Sequence, residues 1–181
     1  IVEKINSILR VYEKQAELKK IEFKSEISKQ LDKDILIDYS SVLKITNNLL
    51  SNAIKFTNEG FISIEINSLL NNRIEIIVTD TGIGINEEKQ KHLFEAFEQG
   101  EHYLTKEHGG TGLGLAIIKK LIDLMYGEIN VETKIGKGTR IKIILPFEEV
   151  KVKAQKKKKN VNNERLIKEL KIISAEDVEI N

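Results

Sequence analysis

Two runs, FISIEI (61–66) and RIEIIVTD (73–80), constrain the fold most. β-Branched and aromatic residues crowd both, and the turn around Asn71 and Asn72 separates them, so they read as paired strands. EINVETK (128–134) and TRIKIIL (139–145) form a second hairpin across IGKG, and IEFKSEI (21–27) alternates like a half-buried strand. Helices fill the intervals. Ile1, Ile5, Ile8, Tyr12 and Ala16 recur at helical spacing in 1–20, and helical patterns also cover about 40–56, 87–97 and 112–126. Residues 98–109 show no periodicity and are expected to form a mobile loop. Antiparallel strands with segregated helices predict an α+β sandwich.

Composition removes several classes of function. The 181 residues hold 29 basic and 28 acidic side chains, a net charge of +1, which gives no general reason to expect nucleic acid or membrane partners. There is no cysteine, so disulfides, thiolate metal sites and cysteine nucleophiles are excluded. No apolar run approaches membrane-spanning length and no signal peptide is visible. The chain begins with Ile, not Met, and is expected to be a piece of a longer or processed protein of the cytoplasm. After Pro146 the composition shifts. KVKAQKKKKNVNNE (151–164) reads as a solvated linker, because no aromatic residue is interleaved to stack on bases.

GGTGLGLAI (109–117) carries four glycines in six positions before a helical run. A dinucleotide fingerprint fails, since the sixth position is Leu115 counted from Gly110 and Ile117 counted from Gly112. A P-loop fails too, because Leu115 and Ala116 follow Gly114 where Lys and Ser or Thr are needed. G-x-G-x-G before a helix N-terminus can hold an anion or serve as a plain loop-to-helix junction, and alone it fits both.

The helix over 40–56 weights that choice. Val42, Ile45, Leu49, Ala53 and Phe56 share one side, while Lys44, Asn48, Asn52 and Lys55 share another stripe. Asparagine is a mediocre helix former, so two spaced i, i+4 beside a Lys need a reason. A carboxamide oxygen suits Mg²⁺ and a Lys suits phosphate oxygens. At a strand end, DTGIGI (80–85) offers a carboxylate, Asp80, that can accept the exocyclic amine of adenine beside bare backbone. Read alone, it is also an ordinary turn.

In this order the segments closely resemble the catalytic ATP-binding domain of sensor histidine kinases. NNLLSNAIKFTNEG (47–60) is similar to that family's N box, DTGIGI to its first glycine box, LFEAFEQ (93–99) to its F box and GGTGLGLAI to its second glycine box. GKGT (136–139) is similar to a further turn of the family. The resemblance covers about 1–147. It implies the Bergerat fold, a two-layer α/β sandwich whose mixed, mostly antiparallel sheet is covered on one face by helices. It also implies roles. Asn48 ligates Mg²⁺. Asn52 and Lys55 reach the phosphates and Phe56 lies beside the nucleotide. Asp80 reads adenine against a wall of Gly82 and Gly84, with Thr139 near that contact. Gly110, Thr111, Gly112, Leu113 and Gly114 line the phosphate side. A lid lies between the F box and Gly109, with Phe94 and Phe97 anchoring its start. Lys106 stands in it where an Arg is common, and a Lys meets phosphate without a bidentate fork.

The resemblance leaves one chemical alternative, an ATPase of the gyrase or MutL kind that hydrolyses with water, besides a nucleotide-binding regulatory module. The hydrolases carry a Glu base one turn before the Asn, where this chain has Lys44, and an ammonium cannot abstract a proton from water. That favours transfer to another acceptor, where positioning and charge neutralisation carry catalysis. His92, His102 and His108 are in no acceptor motif, so the acceptor histidine is expected on a dimerisation domain upstream. LKIISAEDVEIN (170–181) resembles the first strand of a receiver domain, with Glu176 and Asp177 as its acidic pair. The expected organisation is therefore a catalytic domain at 1–148, a linker at 149–169 and an incomplete receiver domain at 170–181. The parent would be a homodimeric hybrid kinase, this piece a monomer, and its partners ATP, the phosphoacceptor domain and a receiver domain or response regulator. Gly112→Val is expected to weaken ATP binding, read by calorimetric titration, while the far-ultraviolet circular dichroism stays that of the wild type.

Overall fold

Three antiparallel pairings and one parallel pairing build the main sheet of the protein, described by a computed structural model over residues 2–32, 35–94 and 114–149. In chain order the elements are α1 (Val2–Lys19), β1 (Glu22–Ile27), a 3-10 turn (Lys29–Asp32), β2 (Ile35–Leu36), α2 (Tyr39–Phe56), β3 (Phe61–Leu69) and β4 (Arg73–Asp80). Then come α3 (Glu87–Lys91), α4 (Gly114–Leu124), β5 (Glu128–Lys134), β6 (Gly138–Pro146) and β7 (Glu148–Glu149). These residues belong to one unit, Ile1–Val150. Of the expected linker at 149–169 only Glu149 is described, in β7; 150–169 and the receiver-like strand lie outside the described residues.

The sheet order is β1-β3-β4-β6-β5. β1 and β3 are parallel, because α2 carries the chain back across the sheet between them, whereas β3–β4 and β5–β6 are tight hairpins. Register puts Ile27, Ile66, Ile76, Ile143 and Ile129 on one cross-strand rung, and Ser25, Ile64, Val78, Ile141 and Val131 on the next. Both rungs face the same side, since side chains two apart share a face. The helices α1, α2 and α4 cover that side. They bury Ile5, Leu9, Tyr12 and Ala16, then Val42, Ile45, Leu49, Leu50 and Ala53, then Ile118 and Ile122, in one cluster with the strand residues. The α+β sandwich expected from the sequence is the fold observed.

Capping fixes α2, the helix that matters most to the site. The Asp38 carboxylate accepts the Ser41 N–H at 3.1 Å and the Ser41 hydroxyl at 2.6 Å, and these bonds hold its pKa below the usual range. At the other end Lys19 of α1 donates to the carbonyls of Ile54 (2.6 Å) and Thr57 (3.2 Å), a cation on the negative end of the helix dipole. The Tyr12 hydroxyl lies 2.9 Å from both the backbone and side-chain oxygens of Asn47, which ties α1 to α2 a second time.

Three features depart from the sequence reading. The helix expected over 87–97 stops at Lys91, and 95–97 lie outside the described residues. At its end i→i+3 bonds, His92 N–H to Lys89 and Leu93 N–H to Gln90, replace the α-helical ones. The helix expected over 112–126 is observed over Gly114–Leu124, ending where Tyr126 takes φ 56 and the Gly127 N–H reaches back to the Ile122 carbonyl. Finally, β2 and β7 pair antiparallel, so chain past Pro146 is still held to the domain at Glu149. Among the described residues no helix is long and apolar enough to cross a membrane.

Ile143 is fully buried at the middle of the second-to-last strand of the sheet, whereas Leu70 at the β3–β4 turn is 88% exposed. In urea denaturation Ile143→Ala should cost about 2–5 kcal/mol of stability, through lost transfer energy and a cavity. Leu70→Ala should stay within about 0.5 kcal/mol.

Candidate functional site

One step beyond the two apolar rungs, the same face of the sheet changes character. The next rung reads Phe23, Ile62, Asp80, Thr139, Thr133. Strand alternation thus aims Asp80 at the helix layer instead of solvent. Burial raises the Asp80 pKa above the ordinary carboxylate range, against the opposing pull of the backbone N–H groups of Gly82 and Thr139. The Gly82 N–H donates to Asp80 Oδ1 at 2.8 Å.

The turn after Asp80 is strapped down at every second residue. The Thr81 hydroxyl accepts the Phe61 N–H at 2.9 Å, the Ile83 N–H donates to the Phe56 carbonyl at 3.2 Å, and the Ile85 N–H donates to Thr133 Oγ1 at 2.9 Å. From the other side the Gly136 N–H donates to the Ile83 carbonyl at 2.8 Å. Gly84 sits at φ +67, and a side chain there would run into the Lys134 carbonyl. A Cβ at Gly82 would meet the Phe56 carbonyl. The first glycine box is therefore bare because the end of α2 and the β5–β6 hairpin both press on its backbone.

Along α2 the stripe of Lys44, Asn48, Asn52 and Lys55 runs from exposed Lys44 to the half-buried other three. Asn52 Nδ2 donates to Asn48 Oδ1 at 3.0 Å. Lys55 Nζ lies 4.9 Å from the centre of the Phe56 ring. Gly114, the first residue of α4, backs onto Asn48, and a Cβ there would come within 2.6 Å of Asn48 Nδ2. Three of the sequence boxes are thus in contact: Phe56 meets Gly82 and Ile83, and Asn48 meets Gly114. Asn48 and Phe56 are eight residues apart on one helix, a span of about 12 Å. Lys106, Gly110, Thr111, Gly112 and Leu113, like Phe97, lie outside the described residues. Phe94 is half-buried.

Residues 37–149, well over half of the chain, match the family described as histidine kinase-, DNA gyrase B-, and HSP90-like ATPase. The chain belongs to that family. Over 183 residues it is 34% identical to the autoinducer 2 sensor kinase/phosphatase LuxQ of Vibrio vulnificus (strain YJ016), covering 98% of this chain and 21% of that protein. It therefore spans about a fifth of that relative's length. Among solved structures it is similar to full-length ShkA in complex with AMPPNP, at TM-score 0.68 and 30% identity, over 80% of this chain and 29% of that one. It is also similar to a nucleotide-free catalytic domain of histidine kinase ThkA, at TM-score 0.63 and 25% identity, over 81% of this chain and 92% of that one.

Within this ATPase domain the geometry adds one residue that sequence reading passed over. Thr133 contacts the first glycine box, the β5–β6 turn and Thr139 with a single hydroxyl. The signal was available, because the IGKG hairpin pairs 134 with 138 and so 133 with 139. Asn47, by contrast, is spoken for by Tyr12.

The raised pKa of Asp80 has a consequence for stability. The native state holds this proton more tightly than the unfolded chain, so ionisation of Asp80 destabilises the fold, and stability falls as pH rises through its folded pKa. Asp80→Asn keeps an oxygen for the Gly82 N–H and removes the charge. It should unfold at higher urea than wild type at neutral pH, and the gap should close as the pH is lowered toward the ordinary value of 3.8.

Proposed function

We propose that the domain binds Mg-ATP along the rim between α2, the first glycine box and the start of α4, and donates the γ-phosphoryl group to a histidine on a dimerisation domain of the same protein. The observation that carries this reading is the convergence of the boxes: Asp80 at the C-terminal end of α2 beside Phe56 and Gly82, and Asn48 with Gly114 about two turns back, at the middle of the helix. A carboxylate beside bare backbone suits the exocyclic amine and face of adenine. The polar stripe of Asn48, Asn52 and Lys55 suits a polyphosphate running along the helix. Phe56 would lie beside the nucleotide and Thr139 beside the Asp80–adenine contact. Lys106 and Gly110 to Gly114 would face the phosphates.

The residues fit Mg²⁺ by their chemistry. Asn48 Oδ1 accepts one N–H from Asn52 and keeps a second lone pair, a hard oxygen ligand. Among the described residues no group of three or more His, Asp or Glu side chains gathers to hold a metal alone. A site of that kind suits an ion that arrives with the phosphates, as Mg²⁺ does with one or two protein oxygens. Bound there, the ion would neutralise charge on the phosphate oxygens.

In the transfer itself an imidazole nitrogen of the acceptor forms the new P–N bond, the bond from the γ-phosphorus to the bridging oxygen breaks, and ADP leaves. The domain contributes position and charge neutralisation. Exposed Lys44, one turn before Asn48, offers no lone pair to activate water, and the names of the relatives favour kinase chemistry over hydrolysis. The LuxQ match covers 98% of this chain and so runs on past 149. The Lys- and Asn-rich composition of 151–164 and the acidic pair Glu176 and Asp177 after an apolar run are what support reading 149–169 as a linker and 170–181 as the start of a receiver domain.

Purified 1–181 should bind ATP with Mg²⁺ in calorimetric titration, and Asp80→Asn should not. With γ-labelled ATP the chain alone should take up no label, and the dimerisation domain added in trans should become labelled on histidine. Label on 1–181 itself, or steady phosphate release without transfer, would overturn the proposal.

A further inference from the structure

The hydroxyl of Thr133 has three polar neighbours and one proton. The Ile85 N–H donates to it at 2.9 Å, the Gly138 carbonyl lies 3.0 Å away, and Thr139 Oγ1 lies 3.0 Å away. A carbonyl oxygen only accepts, so the Thr133 proton goes to Gly138. Thr133 must then accept from Thr139, and the Thr139 proton is spent on that bond. What Thr139 turns toward its other neighbours is lone pairs. Asp80, directly across the ladder on the same face, takes N–H donors from the backbone of Gly82 and Thr139, and no hydroxyl is among the groups that lower its pKa. The rung therefore presents a carboxylate and a hydroxyl that both accept.

We propose that Thr133 is a positioning residue that fixes the Thr139 hydroxyl as an acceptor, and so biases the rung toward a 6-amino purine over a 6-oxo purine. This rests on the adenine-nucleotide reading of the site. An amino group brings two N–H donors to an edge of acceptors. A 6-oxo group brings an oxygen, which that edge repels. Without the Thr133 hydroxyl the Thr139 proton is released and can turn to the Asp80 carboxylate or to a purine oxygen, which weakens the discrimination. The Ile85 strap is lost at the same time, so a merely structural role has to be separated from the ordering of protons.

Thr133→Val removes the hydroxyl at nearly constant shape, and Thr133→Ser restores it. The first readout needs no nucleotide: the carboxyl carbon of Asp80 is titrated by NMR in the full chain. The Asp80 pKa should fall in Thr133→Val and return to the wild-type value in Thr133→Ser. The second readout is the ratio of ATP to inosine triphosphate affinity with Mg²⁺. It should shrink by about five- to tenfold in Thr133→Val, the worth of one neutral hydrogen bond, and recover in Thr133→Ser. An unchanged Asp80 titration, or an equal loss for both nucleotides, would overturn the proposal. If the wild type binds neither nucleotide, the adenine reading fails together with the specificity it implies, while the titration still decides the order of the protons. Thr133→Ala serves the same comparison should the Val variant fail to fold.

Discussion

The two-residue period of the inward sheet face is the constraint on which the rest depends. Ile66, Ile76 and Ile143, then Ile64, Val78 and Ile141, stack across β3, β4 and β6 under the helices. Asp80 and Thr139 occupy the next rung of the same face. Because side chains alternate strictly, a slip of one residue between β4 and β6 would expose the isoleucines and turn Asp80 outward together. The register that buries the core is the register that aims the carboxylate at the helix layer. Core and site are one arrangement, and the large energy of the first holds the costly desolvation of the second.

α2 carries the same coupling in helical form. One side of it buries Val42, Ile45, Leu49 and Ala53, which fixes its rotation, and that rotation presents Asn48 and Asn52 along the rim. Its ends are set by Asp38 with Ser41 and by Lys19. The end position matters because the Phe56 carbonyl holds Ile83 and leaves no room for a side chain at Gly82. At the middle of the helix Asn48 leaves little room over Gly114. Gly82, Gly84 and Gly114 thus record the close approach of neighbouring groups.

Much of this was legible before the structure. Hairpins with β-branched runs and an Asn-rich or Gly-rich turn are local signals, and both were placed with boundaries off by a few residues at most. Helices with a buried stripe were equally plain. The failures have local causes. The pattern over 87–97 is helical in composition, but i→i+3 bonds close the helix after Lys91. β2 and β7 are two residues each, too short to carry a period, and exist only because each has the other to pair with. Asn48, Asn52 and Asp80 were singled out by type and spacing, and Gly82, Gly84 and Gly114 were given roles by the resemblance; the structure brings Gly82 to Phe56 and Gly114 to Asn48. The hydrogen bonds of Asn47 to Tyr12 and of Thr133 to Thr139 join residues of different elements, which the pattern of neither element alone announces.

By itself the sequence determined the long strands and helices, the family of nucleotide-binding boxes and the residue types able to meet adenine, metal and phosphate, because period, turn chemistry and short motifs act over a few residues of chain. Only the tertiary structure decided which of those side chains share an environment. It raised the pKa of Asp80 by burying it, placed Gly114 against Asn48, and brought the Thr133 hydroxyl to Ile85, Gly138 and Thr139 at once. Those outcomes depend on partners distant in sequence, on desolvation and on a count of donors against acceptors, and none of the three exists until the sheet has closed its register and the helices have covered it.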